Sequence, residues 1–356
     1  MENLGKYRKA IDALDLKIVA LLARRAANSK KIAGIKGGIG KKVYDPAREV
    51  EVLRNVLGAK KGYLSNEGLK AIYNEILSES RKLQKKMSVA YLGPVASYSH
   101  EAAMKHFGKQ TDYIPMNSIK EVFEEVEKGN ADYGCVPIEN STEGAVNYSF
   151  DMFADSDLKI FSETMLDIRH CLLSNEASLK EIKTVFIHPQ TLGQCRGWLE
   201  SNLPGAALKE ASSNSKAALL ASGQKGSAAV AGAMAAEIYG LKILAASIQD
   251  MTDNITRFLI LGTESSRRTG DDKTSIMVSI KDRVGALFLL LKPFTTHGLN
   301  LTSIESRPSR KKAWDYYFFV DFSGHKDDAK VKKSLAEVEK HCGAVKILGS
   351  YPKFLR

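Results

Sequence analysis

Arg25 follows Ile18 by seven positions and Lys36 follows Arg25 by eleven. At about 100° per residue both fall on the apolar stripe of a helix that also carries Tyr7, Ile11, Leu14, Leu21, Leu22 and Ile32, with Arg8 near its edge. In a second segment Asp45, Glu49, Val52 and Val56 share a face flanked by Arg48, and in a third Ser80 and Gln84 lie with Leu69, Ile76 and Leu83. Taken singly, each has a structural explanation: Arg25 snorkels, Asp45 caps a helix, Ser80 and Gln84 are tolerated. A buried ion pair costs desolvation and adds little net stability, so a core has no structural use for all of them together. Collectively they describe a cationic pocket for a dicarboxylate, with hydrogen-bonding groups for its ether and hydroxyl oxygens.

A second chemical signal is "DNITRFLILG", Asp253 to Gly262, where Thr256 and Arg257 stand at the mouth of the apolar run Phe258 to Leu261. In a two-lobed α/β protein ligands sit where loops meet sheet ends, so a Thr-Arg step there faces a cleft.

The elements that position these groups divide the chain into three. Residues 4–86 contain no convincing strand: a long helix is expected up to the break "GIKGGIGKK", a second from "YDPAREVEVLRNVL" with Asp45 as N-cap and Pro46 at the first helical position, and a third through "YLSNEGLKAIYNEILSESRKLQ". Such unequal helices bury little alone, which implies a dimer. From Ser88 short β runs alternate with helices as far as "RFLILG", predicting an α/β fold with mostly parallel sheet and two lobes. After the polar linker "TESSRRTGDDKTS" the order is βαββαβ, a ferredoxin-like unit. The expected domains are 1–86, 87–264 and 273–356.

Composition agrees with a multidomain globular protein: 356 residues, 44% apolar and 26% charged. Four dispersed cysteines, Cys135, Cys171, Cys195 and Cys342, form no CxxC pair, so neither a disulfide framework nor a zinc site is expected. No apolar run of 18 or more residues and no signal-peptide core occurs, which predicts a cytoplasmic protein that does not engage a membrane. The net charge of +11 is spread over the chain without a basic helix interleaved with aromatics, so a nucleic-acid partner is not expected and a small polyanionic substrate stays open. "GGIGKK" is no phosphate loop, because no strand precedes it and Lys42 stands where Ser or Thr is required.

Residues 4–86, through "YRKAIDALDLKIVALLARR", "IKGG", "YDPAREVEVL" and "SESRKLQ", resemble the all-helical chorismate mutases. The resemblance implies that Arg8 and Arg25 bind carboxylates, Arg8 reaching into the partner's site, and that Lys36 contacts the ether oxygen and a carboxylate. Asp45, Arg48 and Ser80 match further pocket positions; Glu49 would hold the substrate hydroxyl and Gln84 the ether oxygen. The implied reaction, chorismate to prephenate, is a pericyclic rearrangement without nucleophile or cofactor. It gains its rate from binding the compact conformer and stabilising charge on the breaking ether oxygen.

Over residues 88–263, "YLGPVASYSHEAA", "VPIENSTEGAV", "HPQTLGQC" and "NITRFLILG" resemble prephenate dehydratase. The matching cleft residues are Glu139, Asn140, Ser141, Gln194, Thr256, Arg257 and Phe258. The resemblance assigns catalysis to Thr256, which would assist departure of the ring hydroxyl with help from neighbours, since an unperturbed hydroxyl is a weak acid. Asn140 and Gln194 suit as oxygen-holders. Arg257 has two readings, a carboxylate ligand or an ion pair with an acid such as Glu139 that fixes the strand. His188 precedes a proline and is left outside the catalytic set. Ala96 stands where the family usually has glycine, and Ile187 where it often has a small hydroxyl residue.

The tail, residues 274–352, resembles an ACT regulatory domain, and "GALF" with "IESRPSRKKAW" resembles the phenylalanine-binding signature. Gly285, Ala286 and Leu287 would start the ligand-binding helix, whose N–H groups favour a carboxylate, and Glu305, Ser306, Arg307 and Pro308 would build the adjoining strand and loop. The whole resembles the bifunctional enzymes that make phenylpyruvate from chorismate and are inhibited by L-phenylalanine, working as a homodimer or larger homo-oligomer without metal or other cofactor. The competing reading is a non-catalytic two-lobed solute-binding or amino-acid-sensing protein.

Overall fold

Helix starts and strand pairings follow local chemistry throughout the computed structural model, which describes residues 4–40, 42–59, 62–280, 283–308 and 316–355. These form two compact units, Met1–Met87 with Phe107–Asp112 and Ser88–His106 with Tyr113–Arg356.

The first unit carries α1 (Leu4–Gly38), α2 (Pro46–Gly58) and α3 (Asn66–Lys82). Asp45 caps α2 by accepting from the backbone N–H of Arg48 at 3.1 Å, with Pro46 in the first turn, and Ser65 caps α3 by accepting from the N–H of Gly68 at 2.9 Å. Contrary to the expected stop, α1 runs through Gly34 and Gly37. A helical glycine costs only about 1 kcal/mol relative to alanine, too little to end a long helix by itself. Lys36 Nζ then fastens the last turn to the following loop through Val43 O at 2.6 Å. The apolar stripe of α1 is uncovered, with Ile18 52% exposed and Tyr7, Ile11, Leu14, Leu21 and Ile35 similarly open.

The second unit opens with a mixed sheet of β1 (Ser88–Leu92), β2 (Asp112–Met116), β3 (Tyr133–Asn140), the short β4 (Gly144–Ala145) and β5 (Lys159–Asp167). It is flanked by α4 (Tyr98–Phe107), α5 (Ile119–Glu127) and α6 (Asn147–Asp155). Ser118 caps α5 by accepting from the Glu121 N–H at 3.1 Å, and the Glu121 carboxylate reaches back to accept from the Asn117 N–H at 3.0 Å. A second sheet holds β6 (Cys171–Ser174), β7 (Thr184–Ile187), β8 (Ala207–Glu210), β9 (Ser227–Ala231) and β10 (Lys242–Ala245), wrapped by α7 (Pro189–Asn202), α8 (Asn214–Ser222) and α9 (Ala233–Tyr239). The chain then returns as β11 (Ile255–Gly262), giving the orders β2-β1-β3-β11-β5 and β10-β6-β9-β7-β8.

Two connections, 168–170 and 246–254, therefore cross between the sheets. They are bonded to each other: Ile168 N–H donates to Asn254 O at 2.7 Å and Ile248 N–H to His170 O at 2.9 Å. The expectation of mostly parallel sheet is corrected here. β1–β3, β7–β8 and β7–β9 are parallel, as helical crossovers require, but the returning β11 lies antiparallel to both β3 and β5, and β6 is antiparallel to β9 and β10.

The tail is β12 (Asp272–Ile280), α10 (Ala286–Thr296), β13 (Leu301–Pro308), β14 (Tyr316–Ser323), α11 (Ala329–His341) and β15 (Ala344–Pro352), with strand order β13-β14-β12-β15. One sheet face packs on its own two helices through Ile276, Val278, Phe294, Val320 and Leu335. The other shares a core with the first sheet of the second unit, Met277, Phe319, Leu348 and Tyr351 packing with Phe153, Ile160 and Leu259. The backbones touch where Gly349 meets Ile160, since a Cβ on Gly349 would lie 2.1 Å from Ile160 O.

Candidate active sites

In the first unit Arg25, half-buried on α1, donates through Nη1 to Ser80 Oγ on α3 and to Ile76 O at 3.4 Å. Burial lowers the Arg25 pKa from its ordinary value, while Tyr73 and Glu49 act in the opposite direction. Gln84 Nε2 donates to Ser80 O at 3.1 Å, and its Oε1 is buried without a partner among the described residues. Glu49 pairs with Arg81, a residue 3% exposed that also donates to Phe107 O at 2.6 Å and lies over the Tyr44 ring.

Arg25, Glu49, Ser80 and Gln84 are thus brought together. Lys36 is half-buried at the far end of α1, Asp45 caps α2, and Arg48 is an exposed neighbour paired with Glu51 at 2.9 Å. Arg8 is exposed and seventeen residues before Arg25 on α1, about 25 Å along the axis at 1.5 Å per residue. Sequence reading missed Arg81. Its signal was its place four residues after Leu77 and three after Ser78, both buried.

In the second unit Thr256 and Asn140 are register partners on β11 and β3. Asn140 Oδ1 accepts from the backbone N–H of Thr142 at 3.0 Å and of Glu143 at 2.9 Å, while Nδ2 donates to Thr256 Oγ1 and Asn254 Oδ1, both at 2.7 Å. Asn254 Nδ2 donates to Gln194 Oε1 at 3.2 Å, and Gln194 Nε2 to Glu143 Oε1 at 3.0 Å. Gln194 Oε1 also meets His170 Nε2 at 2.8 Å, and His170 Nδ1 meets Tyr98 OH at 2.7 Å.

Burial lowers the His170 pKa, partly offset by its bond to Gln194, and burial first, then Glu101, raises that of Tyr98 well above the ordinary value. Thr256 is 8% exposed. Ser141 bridges backbone, donating to Asp253 O at 2.8 Å and accepting from Ile255 N–H at 2.9 Å. Asn254, His170 and Tyr98 were not anticipated; each sits near a strand end without a local motif.

Arg257 makes the ion pairs that the second of its two readings expects. It faces away from Thr256, as alternate residues of a strand must. Its partners are Glu163 at 2.8 Å, Asp321 at 2.7 Å and the Tyr351 hydroxyl at 2.9 Å; Glu139 is 4.0 Å away. Lys273 also reaches Glu163 at 2.8 Å, so two cations face the buried Glu163 and the half-buried Asp321. Burial works against the Arg257 charge, but Asp321, Tyr351 and Glu163 outweigh it and hold its pKa above the ordinary value. Phe258 is 1% exposed. Ile187 likewise lies in the core, and Ala96 keeps the left-handed turn with φ 66°. His188 starts α7 through its backbone, without a side-chain cap bond.

In the tail, Gly285 is the N-cap of α10 with φ 77°, a conformation glycine adopts freely. Ala286 and Leu287 follow in the first turn, Leu287 exposed. On β13 exposure alternates, so Ser306 and Pro308 are open while Glu305 and Arg307 are half-buried. Arg307 holds Asp151 of α6 with two bonds of 3.1 and 3.2 Å. Residues 309–314 of the expected signature lie outside the described residues. Among the described residues no helix is long and apolar enough to cross a membrane, and no group of three or more His, Cys, Asp or Glu is placed to hold a metal.

Three family models match the chain: chorismate mutase type II over residues 7–85, prephenate dehydratase over 89–266 and ACT domain over 274–340. A bifunctional chorismate mutase/prephenate dehydratase of Aquifex aeolicus is 46% identical across 100% of this chain and 99% of its own length. One from Stutzerimonas stutzeri is 43% identical across 99% and 98%. The chain belongs to the bifunctional chorismate mutase/prephenate dehydratases.

As a member of that family it converts chorismate to prephenate and prephenate to phenylpyruvate in phenylalanine biosynthesis. The non-catalytic binding-protein alternative falls with this finding. The prephenate dehydratase of Arthrobacter aurescens, solved in complex with L-Phe, is 33% identical, with a TM-score of 0.69 over 75% of this chain and 90% of that one. Its coverage corresponds in extent to the dehydratase and ACT regions rather than to the whole bifunctional chorismate mutase/prephenate dehydratase.

Proposed function

We propose that the mutase reaction takes place around Arg25, Lys36, Glu49, Ser80 and Gln84, with Asp45 and Arg48 shaping the rim, and that Arg8 of a second copy completes the carboxylate grip. The orphaned Gln84 acceptor beside a half-buried guanidinium supports a polar guest. The axial distance between Arg8 and Arg25 exceeds the span of one small dicarboxylate, and the uncovered stripe of α1 supports burial against another copy.

The dehydratase reaction is assigned to Thr256, with Asn140 and Gln194 as oxygen-holders and Glu139 and Ser141 at the rim. The observation that carries this is the 2.7 Å bond from Asn140 Nδ2 to Thr256 Oγ1. Because Thr256 accepts there, its own hydroxyl proton is free to be donated to the departing ring hydroxyl. Aromatisation supplies the driving force.

The ACT region binds L-phenylalanine as feedback inhibitor at the start of α10, around Gly285, Ala286 and Leu287 with Ser306 and Pro308 of β13 alongside. The left-handed Gly285 and the L-Phe complex of the Arthrobacter relative support this. Glu305 and Arg307 lie on the other face of the strand and act through the dehydratase side. The enzyme works in the cytoplasm, a reading that its four free cysteines support. Purified protein supplied with chorismate alone should form phenylpyruvate without added metal or nucleotide, and L-phenylalanine should slow it. Failure to consume chorismate, or indifference to L-phenylalanine, overturns the corresponding assignment.

A further inference from the structure

The amide chain beside Thr256 has a direction, and the backbone sets it. Thr142 and Glu143 donate N–H groups to one end of the Asn140 side chain, so that end is its oxygen and the other its NH2 group. The NH2 group then donates to Thr256 Oγ1 and to Asn254, which fixes Asn254 with its oxygen toward Asn140 and its nitrogen toward Gln194. Gln194 must present its oxygen in turn, and the remaining neighbour of that oxygen is His170 Nε2, which must carry the proton. Tyr98 closes the run at His170 Nδ1.

His170 lies on one crossing between the sheets and Asn254 on the other, and the crossings are bonded to each other. The His170 ring has little freedom to leave, being 1% exposed. If the His170 donor were lost, Gln194 Oε1 would keep only the 3.2 Å contact from Asn254. A rotated Gln194 amide would then set NH2 against NH2 at Asn254. Asn254 could not rotate in response without meeting the NH2 of Asn140, which the backbone holds.

We propose that His170 is a positioning residue of the dehydratase site: the Asn140 amide takes its direction from the backbone, and His170 Nε2–H, with the Glu143 carboxylate at the other end, holds Gln194 in the orientation that Asn254 and Asn140 require, so that the amides beside Thr256 keep their places and Thr256, accepting from Asn140, turns its hydroxyl proton toward the leaving oxygen. The proposal rests on the reading of Thr256 as the proton or hydrogen-bond donor.

The test uses the full chain with prephenate as substrate. His170→Phe keeps the ring shape and removes the donor; kcat should fall about 10- to 100-fold with KM changed less than about threefold, as expected when a reacting group is misaligned without losing substrate contacts. His170→Gln places an amide donor near the same point and should recover most of that loss, with the pH–rate profile of the parent. Chorismate consumption by both variants should match the parent.

Three results overturn the proposal: a His170→Phe kcat within about twofold of the parent, a folded His170→Gln as impaired as the phenylalanine variant, or a His170→Gln profile that loses a limb, which would make His170 a titrating catalyst. Thr256→Val separates the underlying reading. If it is inactive while His170→Phe is unaffected, only the positioning role fails; if it retains activity, the Thr256 reading fails and the proposal with it.

Discussion

Thr256 and Arg257 are consecutive residues of β11 that serve opposite sides of one sheet: the threonine hydroxyl accepts from Asn140, and the guanidinium beside it closes an ion cluster with Glu163 and Asp321. Strand alternation sets one residue of this dipeptide in the candidate site and makes the other an anchor to the ACT sheet.

The anchor is expected to matter for stability rather than substrate affinity. Arg257→Ala leaves the buried Glu163 with Lys273 as its remaining cation and takes the guanidinium from Asp321, and breaking a buried pair by removing one partner costs about 3–5 kcal/mol. Thermal unfolding should show a large drop in Tm, with the KM for prephenate little changed in the fraction that folds. Arg257→Lys should not restore the Tm, because an ammonium lacks the planar fork that reaches three acceptors at once. A stable Arg257→Ala with a greatly raised KM would return Arg257 to the substrate.

Mutase activity should depend on residues from two copies. Arg25→Ala is expected to lower chorismate turnover by about 100-fold or more, the scale for loss of one transition-state donor, while prephenate turnover stays at the parent level. Arg8→Ala should do the same. Mixing the two variants under exchange should restore about a quarter of parent activity: about half the dimers are mixed, and one of the two sites in each is intact. No recovery on mixing would mean that Arg8 serves its own chain or none.

The thiols should be inert in the native state. Cys135, Cys171 and Cys195 are buried, and burial raises all three pKa values, that of Cys195 to about 12. At pH 8 almost none is thiolate, the reactive form. An aromatic disulfide reagent should label Cys342 alone, slowly because burial raises its pKa as well, and the other three at the rate of unfolding. Rapid labelling of Cys171 or Cys195 would mean that the second lobe opens readily.

Two histidines set a pH dependence of stability. Burial lowers the pKa of His100 and of His170, and His100 Nδ1 accepts from the Ala96 N–H at 3.2 Å, which only an unprotonated ring nitrogen does. The unfolded chain, with an ordinary histidine pKa near about 6.5, takes up these protons before the native state does. Their contribution is therefore complete above that value and is lost as the pH falls from it toward the native pKa values. Tm should decline between pH 7 and pH 5, less steeply in His100→Phe. An equal slope in that variant would remove His100 from the account.

Much of this was legible in residue order. The three-helix region, the α/β alternation, the βαββαβ tail and the polar face holding Arg25, Glu49, Ser80 and Gln84 all follow from periodicity, because helix geometry converts spacing directly into position. The partners of Arg257 did not, since Glu163 lies 94 residues away on the neighbouring strand, Asp321 belongs to the tail sheet, and no local pattern marks either. The sheet direction failed for a related reason. β11 arrives from the other lobe rather than from an adjacent helix, and its antiparallel insertion is a long-range choice.

Gly349 carries a consequence for modularity. A strand of the tail rests on the Ile160 backbone so closely that even a methyl group would collide with it, and the charges of Glu163 and Arg257 are enclosed by the same contact. Cutting the chain before residue 272 would thus not release a self-sufficient dehydratase. It would lay bare an apolar face and a carboxylate stripped of Lys273, and such a fragment should aggregate unless that surface is rebuilt.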